Sequence, residues 1–188
     1  MHVRQFTRKP VTIAVTAVTA VIATGAFAAT AAAVLTASSG TTQTQMSNAS
    51  STDVSTTNST TWQPLAGSDV PLTLTASGLI NARFTAESSC TGFATGVGFC
   101  SVRIVAINAA TGTVTELNPA SSRDFVFDTD AAGTANDQYE SNAIERSLRL
   151  PAGDYRFRIE LAVTAPTTNP SPVTARLDDW HFAVEASA

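Results

Sequence analysis

The sequence predicts an all-β protein: a single jelly-roll-like β-sandwich of about eight antiparallel strands, following an N-terminal export helix and a disordered linker. From Trp62 onward, apolar and polar residues alternate with a period of two, which is typical of half-buried strands. No segment after Trp62 shows a helical period. The number of alternating runs suits two packed sheets.

Residues 1–36 have the layout of an export signal. Three basic residues within the first nine positions precede residues 11–36, which carry no charge. This layout is typical of a signal peptide, and Ala26-Phe27-Ala28 favours cleavage after Ala28. The alternative is an uncleaved anchor, because the run exceeds the roughly 20 residues that span a bilayer. The basic start indicates a cytoplasmic N-terminus, so we expect a secreted, extracellular protein or a single-pass membrane protein with its C-terminal domain outside.

Residues 37–61 are predicted to form a disordered linker. More than half of the residues from Ser38 to Thr61 are Ser or Thr, and apolar residues are few. Such a segment lacks the apolar surface needed to form a core, so a flexible tether is expected. The folded domain is therefore predicted to occupy residues 62–188.

Alternation predicts the strands within this domain. In one run the odd positions from Tyr155 to Val163 are apolar, whereas Arg156, Arg158 and Glu160 take the solvent-facing positions. The predicted strands lie near 70–76, 79–88, 99–108, 113–117, 123–127, 143–150, 155–164 and 173–185.

The two runs on either side of Pro151 predict a β-hairpin. Pro151-Ala152-Gly153-Asp154 is rich in turn-forming residues, and pairing Leu150 with Tyr155 places every apolar side chain on one face. The same register sets Arg149 opposite Arg156. Like charges in that position are unfavourable unless an anionic ligand or a neighbouring carboxylate meets them.

The last run changes phase at Asp178-Asp179. Leu177 belongs to the odd apolar positions, whereas Trp180 and Phe182 belong to the even ones. One extra residue at this point restores a common inward face, and Asp tolerates the backbone angles that this requires. We therefore predict a β-bulge and a buried Trp180.

The two cysteines, Cys90 and Cys100, are predicted to form a disulfide. They follow an export segment, are even in number and flank a Gly-rich loop. Metal ligation is the alternative, but a zinc ion is held by four ligands and His181 is the domain's only histidine.

The charge balance argues against nucleic acid as a partner. From Trp62 onward the chain has 8 Arg against 14 Asp and Glu, and no two adjacent residues are both basic. Binding of DNA or RNA depends on basic clusters that release phosphate counterions.

Carboxylates concentrate between residues 124 and 140, which makes calcium the one candidate cofactor. Hard oxygen ligands on a loop suit Ca²⁺, although Ala132 and Tyr139 occupy positions where an EF-hand needs oxygen donors. A solvated acidic loop is the alternative interpretation. The candidate ligands are Asp124, Asp128, Asp130, Asp137 and Glu140.

Two further groups of residues suggest chemistry. Asp179 and His181 are reminiscent of a Ser-His-Asp hydrolase, but residues two apart on a strand lie about 7 Å apart and the chain has no Gly-x-Ser-x-Gly motif. A candidate ligand face comprises Trp62, Phe93, Arg149 and Arg156, since exposed aromatic rings favour carbohydrate binding.

The segments RFTAESSC, FCSVRIVAIN, FVFD, RSLRLPAGDYRFRIEL and LDDWHFAVE resemble, in that order, a group of secreted β-sandwich proteins of high-GC bacteria. Their order is also similar to the strands of jelly-roll modules related to the complement and tumour-necrosis-factor globular heads. The resemblance covers about residues 62–186. It implies a jelly roll that binds ligands without a shared catalytic site, and a homotrimer, although no collagen-like Gly repeat precedes the domain.

The function expected from the sequence is that of an exported, non-enzymatic binding or structural module at or beyond the cell surface. Its expected partner is another protein or a cell-wall polysaccharide. A carbohydrate-binding module is the first alternative, and an extracellular hydrolase is the second.

Overall fold

The computed structural model describes residues 35–39, 42–92, 98–120, 126–129, 139–164 and 173–187. Residues 1–34 of the predicted export segment, including its cleavage site, lie outside these residues, as do most of the predicted strand 123–127. In chain order the strands of the described part are β1 (Leu35–Ser39), β2 (Thr42–Ser51), β3 (Ser55–Thr57), β4 (Gln63–Pro64), β5 (Val70–Leu74), β6 (Gly78–Thr91), β7 (Phe99–Asn108), β8 (Val114–Glu116), β9 (Glu140–Leu150), β10 (Gly153–Thr164) and β11 (Thr174–Ser187).

These strands form two sheets that pack against each other. Sheet 1 has the order β1-β2-β11-β6-β9, with β3 also paired to β11. Sheet 2 has the order β4-β10-β7-β8, with β5 also paired to β10. Every pairing between these strands is antiparallel. The prediction of an all-β sandwich is therefore confirmed.

The core lies between the inward faces of the two sheets. Its largest fully buried side chains are Trp180, Phe84, Phe157 and Phe182, each at most 1% exposed. Alternation along β6, β10 and β11 directs them inward, and burying each large apolar side chain contributes roughly 1.5–3 kcal/mol. The ring centroids of Phe84 and Trp180 lie 6.2 Å apart.

The predicted bulge in β11 is confirmed. The register between β11 and β6 shifts between Asp178 and His181, and Asp179 adopts a positive φ of 42°. Asp is one of the few non-glycine residues that adopt this conformation at modest cost. The inserted residue brings Trp180 into the core, where it is 1% exposed.

The predicted disulfide between Cys90 and Cys100 is also confirmed. Cys90 lies on β6 of sheet 1 and Cys100 on β7 of sheet 2, so the bond ties the sheets together at one end of the sandwich. Both cysteines are buried in a small apolar cluster with Val163, Val173 and Ala175. Closing a loop of this length stabilises the fold by about 2–3 kcal/mol in the chain-entropy account.

The predicted hairpin around Pro151 is wrong. β9 pairs with β6 at the edge of sheet 1, whereas β10 pairs with β7, β5 and β4 in sheet 2. Leu150 lies opposite Gly78 rather than Tyr155. The error has a physical cause, because side chains of two consecutive strands face one core equally well whether the strands are neighbours in one sheet or belong to opposing sheets.

The predicted linker 37–61 also differs from the structure. Residues Thr44–Ser51 of β2 and Ser55–Thr57 of β3 pair with β11 and extend sheet 1. Most of this segment is polar, but Ala49 contributes a buried side chain to the core. The β11 edge supplies backbone hydrogen-bond partners, and Thr is compatible with strands, so the segment needs little apolar surface to be ordered.

Candidate functional site

A shallow polar groove lies on the outer face of sheet 1. Its volume is about 250 Å³, and its lining includes Asn81, Arg83, Glu145, His181, Ala183 and Glu185. We call it the polar groove. Its residues come from β6, β9 and β11, three neighbouring strands of the sheet. Each alternates along its strand with a residue that points into the core, which is why these side chains face outward.

The strand register explains the depression in this face. Ala183 at its centre lies opposite Arg83 on β6 and Asn48 on β2. Glu185 lies opposite Asn81, and Glu145 lies opposite Arg83. Because Ala183 has no side chain beyond Cβ, it leaves a floor between longer polar neighbours.

The polar groups of the groove differ in how they are paired. Arg83 donates through Nε and Nη2 to Oε2 of Glu145, at 3.3 and 3.1 Å, and the two side chains are 67% and 61% exposed. Asn81, His181 and Glu185 make no side-chain hydrogen bond or ion pair within the described part of the chain. The groove therefore holds one exposed ion pair and three polar groups available to a ligand.

The sequence-predicted hydrolase pair does not form a catalytic arrangement among the described residues. Asp179 is exposed in the bulge, and its backbone N–H donates to Oδ1 of Asp178 at 2.9 Å. His181 lies on the outer face opposite Ser50 and Thr85, and none of the hydrogen bonds in the described ranges joins it to either hydroxyl or to Asp179.

The structure does not bring the predicted ligand face together. Arg149 is exposed on sheet 1 opposite Leu79, whereas Arg156 lies on sheet 2 opposite Ile107. The predicted like-charge pair is therefore wrong, because the two arginines belong to different sheets. Arg156 instead meets a carboxylate, Asp69, with Nε 3.3 Å from Oδ1. Phe93 lies outside the described residues.

Trp62 packs against a cation rather than presenting both ring faces to solvent. The guanidinium carbon of Arg103 lies 4.6 Å from the centroid of the Trp62 ring. One face of this ring is thus occupied by a cation–π contact. Trp62 therefore offers less of the flat, open aromatic surface that would favour stacking of a sugar ring.

Arg103 belongs to an ionic cluster on the outer face of sheet 2, which the sequence did not predict. Glu160, 5% exposed, accepts from Nε of Arg103 at 2.9 Å and from Nη2 of Arg158 at 2.5 Å. Nη1 of Arg103 also reaches Glu116 at 3.4 Å. We call Arg103, Glu116, Arg158 and Glu160 the ionic cluster. Recognising it requires the pairing of β7 with β10, which no local pattern reveals.

A further buried charge lies at the edge of sheet 1. Arg146 is 8% exposed on the inward side of β9, and its Nη1 donates to the carbonyl oxygen of Glu145 at 2.9 Å. Burial lowers the pKa of the Arg146 guanidinium below its usual value, and the carboxylate of Glu116 partly offsets this effect. Inward-pointing charges on edge strands disfavour pairing with another chain, which suits this position.

Two members of the candidate calcium set, Asp128 and Glu140, lie within the described residues, and they differ in burial and in hydrogen bonding. Asp128 is 7% exposed, and its Oδ2 accepts from Oγ of Ser88 at 2.6 Å. Asn142 in turn donates to Oγ of Ser88 at 2.9 Å, whereas Glu140 is exposed. Asp124, Asp130 and Asp137 lie outside the described residues.

Within the described ranges, no group of three or more His, Cys, Asp or Glu side chains is arranged to hold a metal ion. Asp128 has instead a structural contact, since its backbone also bridges Cys100. Calcium binding by the whole set stays a prediction.

A second cleft opens between the edges of the two sheets. It has a volume of about 290 Å³ and is lined by β3, β4, Leu65, Ala66 and Leu161. Leu65 and Leu161 are core residues, 3% and 4% exposed, and Ser55, Thr56 and Thr57 of β3 also line the cleft.

Comparison with models of known protein families gave no match, and comparison with curated protein sequences gave none either. In the part of the chain that the structure describes, no helix has the length and apolar character needed to cross a membrane.

Proposed function

We propose that this chain is an exported, non-enzymatic binding module that acts at or beyond the cell surface, with the polar groove as its ligand site. The ligand class that fits best is a cell-wall polysaccharide. The observation that carries the proposal is a set of exposed polar groups, Asn81, His181 and Glu185, around the small residue Ala183, which have no side-chain partner among the residues that the structure describes.

The chemistry of the groove supports a hydroxyl-rich ligand. A carboxylate accepts hydrogen bonds, an amide donates and accepts them, and the guanidinium of Arg83 offers donors that Glu145 holds in place. Sugar hydroxyl groups both donate and accept, so they complement this mixture. The residues that line the groove include no Trp, Tyr or Phe, so recognition there would rest on hydrogen bonds rather than on stacking.

Export is supported by two features. Residues 1–36 have the charge and hydropathy pattern of a signal peptide or membrane anchor. The disulfide between Cys90 and Cys100 is of a kind that persists in oxidising compartments, such as those beyond the cytoplasmic membrane. Secretion and single-pass anchoring would both place the groove where wall polymers are found.

The test is co-sedimentation of the full chain with purified cell walls of the producing bacterium, in a polyoxyethylene detergent that carries no sugar. Ala183→Trp fills the floor of the groove with a side chain that strands tolerate, so we expect binding to fall about tenfold or more. Glu87→Trp, on the same face of β6 but outside the groove lining, is the matched control and should bind like wild type.

Absence of wall binding by the wild-type chain would refute the proposal. Equal binding by wild type and the folded Ala183→Trp variant would show that another surface binds the wall. Far-ultraviolet circular dichroism of each variant separates a filled groove from a misfolded domain.

A further inference from the structure

Charge distinguishes the ligands that the polar groove can accept. Arg83 is neutralised by Glu145, so Glu185, with His181 counted as neutral, is the formal charge of the lining that has no ion-pair partner within the described ranges. From Trp62 onward the chain also has 14 acidic residues against 8 arginines. This acidic surface repels a polyanion, and an uncharged sugar cannot form an ion pair with Glu185. A cation is attracted by the net negative charge and can pair with Glu185.

The position of Glu185 suits an ammonium group in particular. Its cross-strand partner is Asn81, and directly opposite residues have Cβ atoms about 5 Å apart. A carboxylate and an amide oxygen at that spacing provide two acceptors for the three N–H donors of a primary ammonium. An ammonium bound there would pair with a carboxylate that otherwise has no partner in the described part of the chain.

The length of the groove favours a polymer over a single small cation. His181 and Glu185 are four residues apart on β11, so about 13 Å separates them along the strand. Ala183 between them allows a flat ring to approach the sheet, and Arg83 beside it provides donors for hydroxyl groups. An amino-sugar chain lying along the groove could place an ammonium group at Glu185 and hydroxyl groups near His181, so its chemistry fits both ends of the groove.

We infer that the polar groove binds the primary ammonium group of an amino-sugar polymer, with Glu185 as the residue that pairs with it. This inference rests on the proposed function and names its ligand class. Asn81 provides a second acceptor, and the Arg83–Glu145 pair contacts neighbouring hydroxyl groups.

The experiment compares two soluble oligosaccharides of equal length and linkage, glucosamine tetramer and N-acetylglucosamine tetramer, by isothermal titration into the full chain. Acetylation removes the charge and keeps the sugar ring. We expect the glucosamine tetramer to bind at least about tenfold more tightly, because a charge-assisted hydrogen bond is stronger than a neutral one.

Glu185→Gln should abolish this preference while keeping side-chain size. Glu87→Gln removes one carboxylate from the same face outside the groove, and it should leave the preference unchanged. If both variants weaken binding equally, the attraction is a general effect of acidic charge and the inference is overturned.

Two other results would also overturn it. Equal affinity for the two tetramers would mean that the groove does not recognise the ammonium group. Equal affinity for tetralysine and the glucosamine tetramer would mean that the groove does not recognise the sugar that carries the ammonium group. Wall binding that Ala183→Trp abolishes without any glucosamine preference would remove this inference and keep the proposed function. If the wild-type chain does not bind cell walls, the proposed function itself is refuted.

Discussion

The outer faces of the two sheets carry similar residues in different surroundings. On sheet 1, Arg83 and Glu145 form an ion pair whose side chains are 67% and 61% exposed. On sheet 2, Glu160 lies between two arginines, and the side-chain exposures are 6% for Glu160 and 21% for Arg103 and Arg158. Alternation tells which side of a strand a residue occupies, but not whether solvent reaches that side.

The neighbours of each pair explain the difference. On sheet 2, Val105 lies opposite Arg158 and Ile107 opposite Arg156, and these outward aliphatic residues are 0% and 7% exposed. Long arginine stems can cover such apolar surface while their heads pair with a carboxylate. On sheet 1, Arg83 lies between the small residue Ala183 and the exposed Glu145, without a large aliphatic side chain opposite it, so this part of the face stays open.

This contrast separates stability from binding. Charges removed from water need partners, so the ionic cluster should matter for folding. Exposed charges contribute little to stability and are available to a ligand. The outer face of sheet 2 therefore has the properties of a structural surface, and that of sheet 1 has the properties that the proposed binding role requires.

The largest expected effect lies in the core between the two faces and sets the scale for the comparison. Trp180→Ala should lower the free energy of unfolding by about 3–5 kcal/mol, because it leaves a cavity beside Phe84. Urea unfolding followed by circular dichroism measures it. A midpoint close to that of wild type would contradict the bulge as the device that buries this ring.

A smaller effect is expected within the ionic cluster. Arg158→Ala removes one of two cations from Glu160 and uncovers Val105, so we expect a loss of about 1–2 kcal/mol. Alternation alone would place Arg158 in solvent and make the change neutral. The matched control is Arg156→Ala, two residues away on the same face, whose partner Asp69 is half exposed. Equal unfolding free energies for the two variants would contradict the cluster.

The smallest effect belongs to the exposed pair on sheet 1. Glu145→Gln should change the free energy of unfolding by less than about 0.5 kcal/mol, since exposed ion pairs are weak. Measurement at low and high salt checks the assignment. A loss comparable to that of Arg158→Ala would mean that the two faces do not differ.

The features that could be predicted from the sequence depend on local signals. A phase slip locates the bulge at Asp179, parity buries Trp180, and two cysteines after an export segment predict the disulfide. Each requires only neighbouring positions along the chain or a cysteine count. The all-β class follows from the same alternation.

The features that could not be predicted depend on which strands meet. The pairing of β9 with β6 rather than β10 is decided across the whole sandwich, and an inward apolar face does not reveal it. The Ser/Thr-rich segment becomes β2 and β3 only because β11 offers an edge to it. The polar groove and the ionic cluster both require these non-local registers, so neither could be found from the residues alone.

The most direct test of the division between the two faces is urea unfolding of Glu160→Gln beside Glu185→Gln. Each variant neutralises one carboxylate at an outward strand position, and the side-chain sizes are kept. We predict a loss of about 2–4 kcal/mol for Glu160→Gln, which leaves two arginines facing a neutral amide in a poorly solvated cluster. For Glu185→Gln, exposed in the polar groove, we predict a change below about 0.5 kcal/mol. Similar losses for the two variants would contradict the account.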